Sequence, residues 1–314
     1  MTSRSIAILI PCYNEEDIIE TSVKKLDGLL YELQKKNLVS KDSFVLVVDD
    51  GSTDNTWNIL RRLRKTQNSL RAIKLARNYG QQKALLCGYT AFLNDIDAVV
   101  SLDADLQDDV TLVESMLKEY GKGYDLVLGV RKERSTDSFQ KKWTAQLYYK
   151  TLKILGVDLV YNHAEYRLVT KKILKRLSSC KESSLYLRGL FLTLTDNYAL
   201  VYYDRKKRFD GKSKYTYKKM VSLALDGVTS FSGKPLRLAT ITGFSVFAIS
   251  LFLTAWAFIA YLSGITVPGW ASNVISIYIL GGIQLVFLGI LGEYIGKIYI
   301  EVKERPRYLI EERL

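Results

Sequence analysis

From Ile6 to Leu128, short apolar runs alternate with longer segments whose apolar residues recur at helical spacing. Ile6–Ile10, Phe44–Val48, Ala72–Leu75, Val99–Leu102 and Leu126–Leu128 read as strands, and Asp17–Lys36, Thr53–Lys65, Gln81–Phe92 and Thr111–Tyr120 as helices. Asp50-Gly51-Ser52 is a turn signal, and Ser52 or Thr53 can cap the helix that follows. This alternation predicts an α/β fold, a mostly parallel sheet with helices on both faces. In such sheets ligands bind at the carboxyl ends of the strands. The polar clusters fall there: Tyr13-Asn14-Glu15-Glu16, Asp49-Asp50, Arg77-Asn78 and Asp103-Ala104-Asp105.

The pattern then changes. From Leu238 to Gly292 there is no Asp, Glu, Lys or Arg. A membrane-spanning helix needs about 20 mostly apolar residues, so this run predicts two spans, near Ala239–Leu262 and Ser272–Tyr294, joined by a turn from Ser263-Gly264 to Pro268-Gly269. A buried hairpin in a soluble core fits less well, because soluble helices normally show one polar face. Lys234 and Arg237 precede the first span, Lys297, Lys303, Arg305 and Arg307 follow the second, and the connecting turn is uncharged. By the positive-inside rule both ends lie in the cytoplasm. The first apolar run is too short for a signal peptide and ends at Pro11. Cys12, Cys87 and Cys180 lack metal-ligand or redox spacing and suit a reducing compartment.

From Arg131 to Cys180 the chain reads as basic and helical. Between Val201 and Arg237, ten Lys/Arg stand against three Asp/Glu. There Lys218–Phe231 carries Val221, Leu225, Val228 and Phe231 at helical spacing, which predicts a helix lying at a membrane interface. Lys+Arg total 45 and Asp+Glu 33, a formal net charge of +12. Much of that excess adjoins the apolar run, which argues for a membrane partner and against a nucleic acid.

Within this basic chain, SLDADLQDD (101–109) concentrates four carboxylates. In extended backbone, residues i and i+2 point the same way, so Asp103 and Asp105 can converge on one site. Two such groups need a compensating cation, and hard oxygen ligands suit Mg²⁺ or Mn²⁺ bound together with substrate phosphates. Asp108 and Asp109 read as a solvated loop with one of them capping the next helix. No GxGxxG follows a strand, and Gly211-Lys212-Ser213 is not a P-loop because position 206 is Lys. His163 is the only histidine, which excludes multi-histidine metal sites and fits a structural role.

IPCYNEE (10–16), VVDDGSTDNT (47–56), RNYGQQKAL (77–85) and DADLQDD (103–109) resemble the nucleotide-binding motifs of family 2 glycosyltransferases. The likeness continues through GVR (129–131), RGL (188–190), RKKRFDGKSKY (205–215), LALDGVTSF (223–231) and GEYIGKIYIEVKERP (292–306). With two spans near the C-terminus, the chain is similar to the polyprenyl-phosphate glycosyltransferases, the group of bactoprenol glucosyltransferases and dolichol-phosphate mannose synthases. The resemblance implies a GT-A Rossmann-like catalytic domain (1–215), juxtamembrane amphipathic helices (216–235), a transmembrane hairpin (236–296) and a cytosolic tail (297–314).

It also implies inverting transfer of glucose or N-acetylglucosamine from a UDP-sugar to undecaprenyl phosphate, at the cytoplasmic membrane and in service of the cell envelope. Pro11, Tyr13, Glu15, Asp50 and Asp103 would line the nucleotide pocket, and Asp103, Asp105 and Gln107 would hold the metal. Arg131, Arg205, Arg208, Ser213 and Lys214 would hold the acceptor phosphate. The family's GDFRL motif, whose Asp is often cast as a base, reads Ala164-Glu165-Tyr166-Arg167-Leu168 here, with Glu165 in its place. A homo-oligomer, a tetramer by resemblance, is implied as well. Two alternatives are a processive polysaccharide synthase, which the missing Arg-Trp pair disfavours, and a non-catalytic scaffold or lipid carrier, which the intact Asp103-Ala104-Asp105 disfavours.

Overall fold

The computed structural model describes residues 4–131, 160, 163–182, 187–203, 234–263 and 269–314. The expected α/β layers are present. Strands β1 (Ile6–Cys12), β2 (Phe44–Asp49), β3 (Leu70–Leu75), β4 (Ala98–Ser101) and β5 (Leu126–Arg131) match the predicted five. Helices α1 (Ile19–Lys35), α2 (Thr56–Arg64), α3 (Gln81–Ala91) and α4 (Leu112–Gly121) fall between them. Side chains on β1 alternate between two cores. Ile6, Ile8 and Ile10 pack with α1, α2 and α4, whereas Ala7 and Leu9 face the core beneath α3. Period-2 alternation thus places a hydrophobic layer on each face of the sheet.

Three further strands complete the sheet: β6 (His163–Thr170), β7 (Tyr198–Tyr203) and β8 (Ile310–Arg313). The order is β7-β5-β6-β4-β1-β2-β3-β8. Strands β1 to β4 run parallel to their neighbours in that group, β7 runs parallel to β5, and β6 and β8 are antiparallel insertions. Residues 163–170 therefore correct the reading of 131–180 as helical. Helices α5 (Lys171–Ser179) and α6 (Leu187–Leu194) follow β6 and join the core on the α3 face.

The apolar run folds as α7 (Lys234–Leu262) and α8 (Trp270–Val302), the predicted helical hairpin. Among the described residues, Ile279–Val302 is long and apolar enough to cross a membrane, and none of it is buried against the rest of the chain. The expected tail at 297–314 is different in kind: α8 continues to Val302, and Ile310–Arg313 enters the sheet beside β3. Leu314 and Ala72 exchange backbone hydrogen bonds, and Ala76 N donates to Leu309 O at 2.9 Å. Trp57 Nε1 donates to Glu312 at 2.9 Å. The predicted interfacial helix, 218–231, lies outside the described residues.

Candidate active site

Parallel pairing sets Pro11 opposite Val48 and Cys12 opposite Asp49, so the loops after β1 and β2 lie side by side. They are laced together: Asn14 N donates to Ser52 Oγ at 2.9 Å, Thr53 N to Asn14 Oδ1 at 2.9 Å, and Glu15 N to Thr56 Oγ1 at 3.0 Å. Pro11 is buried, while Tyr13 stands 41% exposed at the rim. Asp49 closes its own turn, accepting from Ser52 N at 3.0 Å and from the Ser52 hydroxyl.

Asp50 reaches across to the loop after β3. Its two oxygens accept from Tyr79 N and Gly80 N, each at 2.8 Å. Burial pushes its carboxyl above the usual range, and those two amides pull it back. Gly80 has φ 92° and opens α3, whose first two side chains point into the site. Gln81 Nε2 donates to Asp103 Oδ1 at 2.9 Å, and Gln82 Nε2 donates to Glu165 Oε1 at 3.1 Å.

Asp103 and Asp105 lie beyond the end of β4 in a turn, where Leu106 N donates to Asp103 O at 3.2 Å and Leu106 has φ 44°. The turn, rather than extended backbone, brings the two carboxylates together. Burial raises the Asp103 carboxyl, as do the charges of Asp105 and Asp108, while Arg131 and Arg188 draw it down. Asp105 is exposed and accepts from Gln107 N at 3.3 Å. Two carboxylates whose repulsion is only partly offset are hard-oxygen donors of the kind that suits a divalent cation.

Asp108 is not the solvated residue its loop suggested. It is 8% exposed and pairs with Arg131 at 3.4 Å, and its Oδ1 has no hydrogen-bond partner among the described residues. Arg131 Nε also donates to Tyr203 Oη at 3.2 Å, so β5 and β7 jointly hold this guanidinium at the edge. Asp109 does turn inward on its own loop, accepting from Thr111 N at 3.1 Å. Glu165, on β6, is 5% exposed and meets Arg188 Nε at 2.7 Å, Gln82 Nε2 and the buried Arg167.

Pro11, Tyr13, Glu15, Asp50, Asp103, Asp105, Gln107, Arg131 and Glu165 thus gather at one edge of the sheet. Arg205, Arg208, Ser213 and Lys214 lie outside the described residues. Sequence reasoning missed Gln81, Gln82, Asp108 and Arg188. Three of them sit inside RNYGQQKAL and RGL, motifs it had marked without assigning those residues roles.

An aspartate pair and two ion-paired guanidiniums, Arg131 and Arg188, thus stand at the carboxyl edge of a Rossmann-like sheet, and the class of enzyme follows from the family the chain matches. The chain belongs to glycosyl transferase family 2, whose model matches residues 7–178. A second model, the GtrB C-terminal hairpin, matches residues 234–298. A Bacillus subtilis protein described as the uncharacterized glycosyltransferase YkoT is 44% identical, with 98% of this chain and 91% of that protein covered. The bactoprenol glucosyl transferase of Shigella phage SfX is 35% identical, with 98% of this chain and 99% of that protein covered. Among solved structures, mannosyl-3-phosphoglycerate synthase from Rubrobacter xylanophilus shares the fold at TM-score 0.50 and 14% identity, over 75% of this chain and 74% of that one.

Proposed function

We propose that this enzyme is anchored in the cytoplasmic membrane and transfers a sugar from a nucleotide diphosphate to the phosphate of a polyprenyl lipid such as undecaprenyl phosphate, inverting the anomeric carbon. One observation carries the reading: a family 2 sheet and the hairpin matched at 234–298 occur together on a chain similar along nearly its whole length to a bactoprenol glucosyl transferase. A UDP donor carrying glucose or N-acetylglucosamine is the favoured substrate.

The acceptor, a phosphate monoester with a second pKa near 6, is largely ionised at neutral pH and needs no strong base. The harder task is to bring two anions together. Arg131, braced by Tyr203 and Asp108, offers its guanidinium to the acceptor phosphate, and Arg205, Arg208, Ser213 and Lys214, near the end of the catalytic part of the chain, join it. Pro11, Tyr13, Glu15 and Asp50 line the nucleoside side. Asp103, Asp105 and Gln107 are the residues that would hold Mg²⁺ or Mn²⁺. When bound, that ion supplies positive charge against the departing diphosphate. A lipid phosphate oxygen forms the new bond to the anomeric carbon, and the bond to the donor diphosphate breaks with its electron pair leaving on the nucleotide.

The domain limits follow the sequence reading: catalytic residues 1–215, a juxtamembrane segment 216–235 and a spanning hairpin 236–296. The segment 297–314 is cytosolic and returns to the sheet. The strand order supports this topology, because the chain ends β7 at Tyr203 and rejoins the same sheet at Ile310. Both ends of the hairpin then belong on one side, and the flanking Lys/Arg excess assigns that side to the cytoplasm.

The test is purified protein with a panel of nucleotide sugars, undecaprenyl phosphate and Mg²⁺ or Mn²⁺. Nucleotide diphosphate released only when both lipid phosphate and metal are present is the expected result. A folded protein that releases none with any sugar would favour the non-catalytic scaffold instead.

A further inference from the structure

Glu165 stands where the resemblance would seat a base, yet its surroundings suit another task. Its Oε1 accepts from Arg188 Nε at 2.7 Å and from Gln82 Nε2 at 3.1 Å, and its Oε2 accepts from Arg167. Arg167 is fully buried, with its guanidinium 5.1 Å from the Phe191 ring centre. A general base needs an oxygen within reach of the proton it removes. Here both oxygens are engaged by donors of the protein, and a phosphate acceptor has no such proton to give.

Arg188 differs from Arg167. Its side chain is 34% exposed, and Nε alone is committed to Glu165. Among the described residues its two terminal nitrogens have no partner. The bracket that holds it is well made: Leu187 N donates to Gln82 Oε1 at 3.2 Å, so one glutamine ties both the start of α6 and the carboxylate that grips Arg188. Gln81, the preceding residue, holds Asp103. One turn of α3 therefore links the acidic pair to the arginine.

We infer that Arg188 is a phosphate-binding residue of the transfer site and that Glu165 is its positioning residue. With Nε turned to Glu165, the outer edge of the guanidinium is free to meet two phosphate oxygens, an arrangement lysine cannot reproduce. The inference rests on the transfer reading above. Both substrates of that reaction carry phosphate, so the ligand is a phosphate of either the donor or the lipid.

The experiment compares wild type, Arg188→Ala, Arg188→Lys, Glu165→Gln and the double variant Arg188→Ala/Glu165→Gln in detergent. Donor and undecaprenyl phosphate are varied separately, and UDP binding is measured by calorimetry without lipid. Arg188→Ala is expected to lose about tenfold to a hundredfold in efficiency toward one substrate, with partial recovery in Arg188→Lys. A parallel fall in UDP affinity identifies the donor phosphate. A raised KM for undecaprenyl phosphate with UDP binding intact identifies the lipid phosphate.

Glu165→Gln should shift the same parameter, add less than about threefold to Arg188→Ala, and leave the pH–rate profile in place. If instead it removes the acidic limb of that profile, or its loss multiplies fully with that of Arg188→Ala, Glu165 is a base and the positioning role is wrong. Should Glu165→Gln not fold, Gln82→Ala loosens the same bracket from its other side and is expected to give a smaller defect in the same parameter; no defect there overturns the bracket. Folded Arg188→Ala with wild-type efficiency toward both substrates ends the phosphate role. A wild-type protein inert toward every lipid phosphate defeats the transfer reading itself, and this inference with it.

Discussion

Gly51 shows how a single backbone position governs the proposed nucleotide side of the site. It has φ +71°, and a Cβ there would run into the backbone of Arg77 and Asn78. Its neighbour Asp50 holds the amides of Tyr79 and Gly80 in that same loop. Gly51→Ala is therefore expected to cost about 1–3 kcal/mol and to weaken nucleotide binding, read by thermal unfolding with and without UDP. Asp105 presents the opposite case. It is exposed, and among the described residues its carboxylate accepts from Gln107 N, so Asp105→Asn should leave the melting temperature unchanged. A neutral amide is a poorer ligand for a hard cation, and turnover should fall by about a hundredfold or more; near wild-type turnover with metal present would remove Asp105 from the metal site.

The cysteines supply a pH test at the same scale. Burial pushes the Cys87 thiol up to about 12, and it pushes Cys12 well above the ordinary range too. Cys180 is only partly buried. At pH 8 a thiol reagent should label Cys180 alone until the protein is denatured. An unfolded thiol ionises near pH 8.5 while folded Cys87 keeps its proton, so the folded state binds more protons above that pH and stability falls as pH rises. The melting temperature should drop between pH 8 and pH 10, and by less in Cys87→Ala.

At the scale of elements, β8 carries the most consequence. It covers β3, which would otherwise be an open edge of the sheet. The backbone bonds of its flanking residues, Leu314 to Ala72 and Leu309 to Ala76, are reinforced by Glu312 on Trp57 and by Lys74 to Glu311 at 3.1 Å. The ion pair has its carboxylate half exposed, and solvent screening keeps its contribution small. The backbone bonds contribute about 2–3 kcal/mol in sum. Removing residues 310–314 should lower the melting temperature accordingly and promote aggregation through the bared β3 edge, measurable by light scattering during a thermal ramp. Unchanged unfolding would mean that β8 contributes nothing to the stability of the sheet.

For the whole molecule, the sheet and the hairpin make one topological argument. Because β8 closes the sheet that β1 begins, a cysteine at position 41 and one at position 312 should both resist an impermeant reagent applied to intact cells. A cysteine placed between the two helices should react. Labelling of position 41 or position 312 from outside would overturn the proposed orientation. The acidic turn after β4 and the Lys/Arg-rich stretch before α7 also acquire a common sense at this scale: in the proposed reaction one manages the leaving diphosphate and the other an anionic lipid.

The alternation of strands with helices, the uncharged run at 238–292 and the clustering of polar residues at strand ends were all legible in the chain, because each arises from local periodicity and short-range turn chemistry. β6 was not, since His163–Thr170 places Glu165 and Arg167 in the interior, and only their mutual pairing and the donors from α3 and α6 make two buried charges tolerable. β8 was not either: four residues, three of them charged, form a strand only because β3 has a free edge to receive them. Asp108 looked like its neighbour Asp109 until β5 and β7 brought Arg131 and Tyr203 alongside. Which residue types gather at the strand ends was set by the sequence alone. Which carboxylate faces solvent, which grips an arginine and which arginine is left with a free edge was decided by long-range packing, because those partners lie 23 to 83 residues apart in the chain.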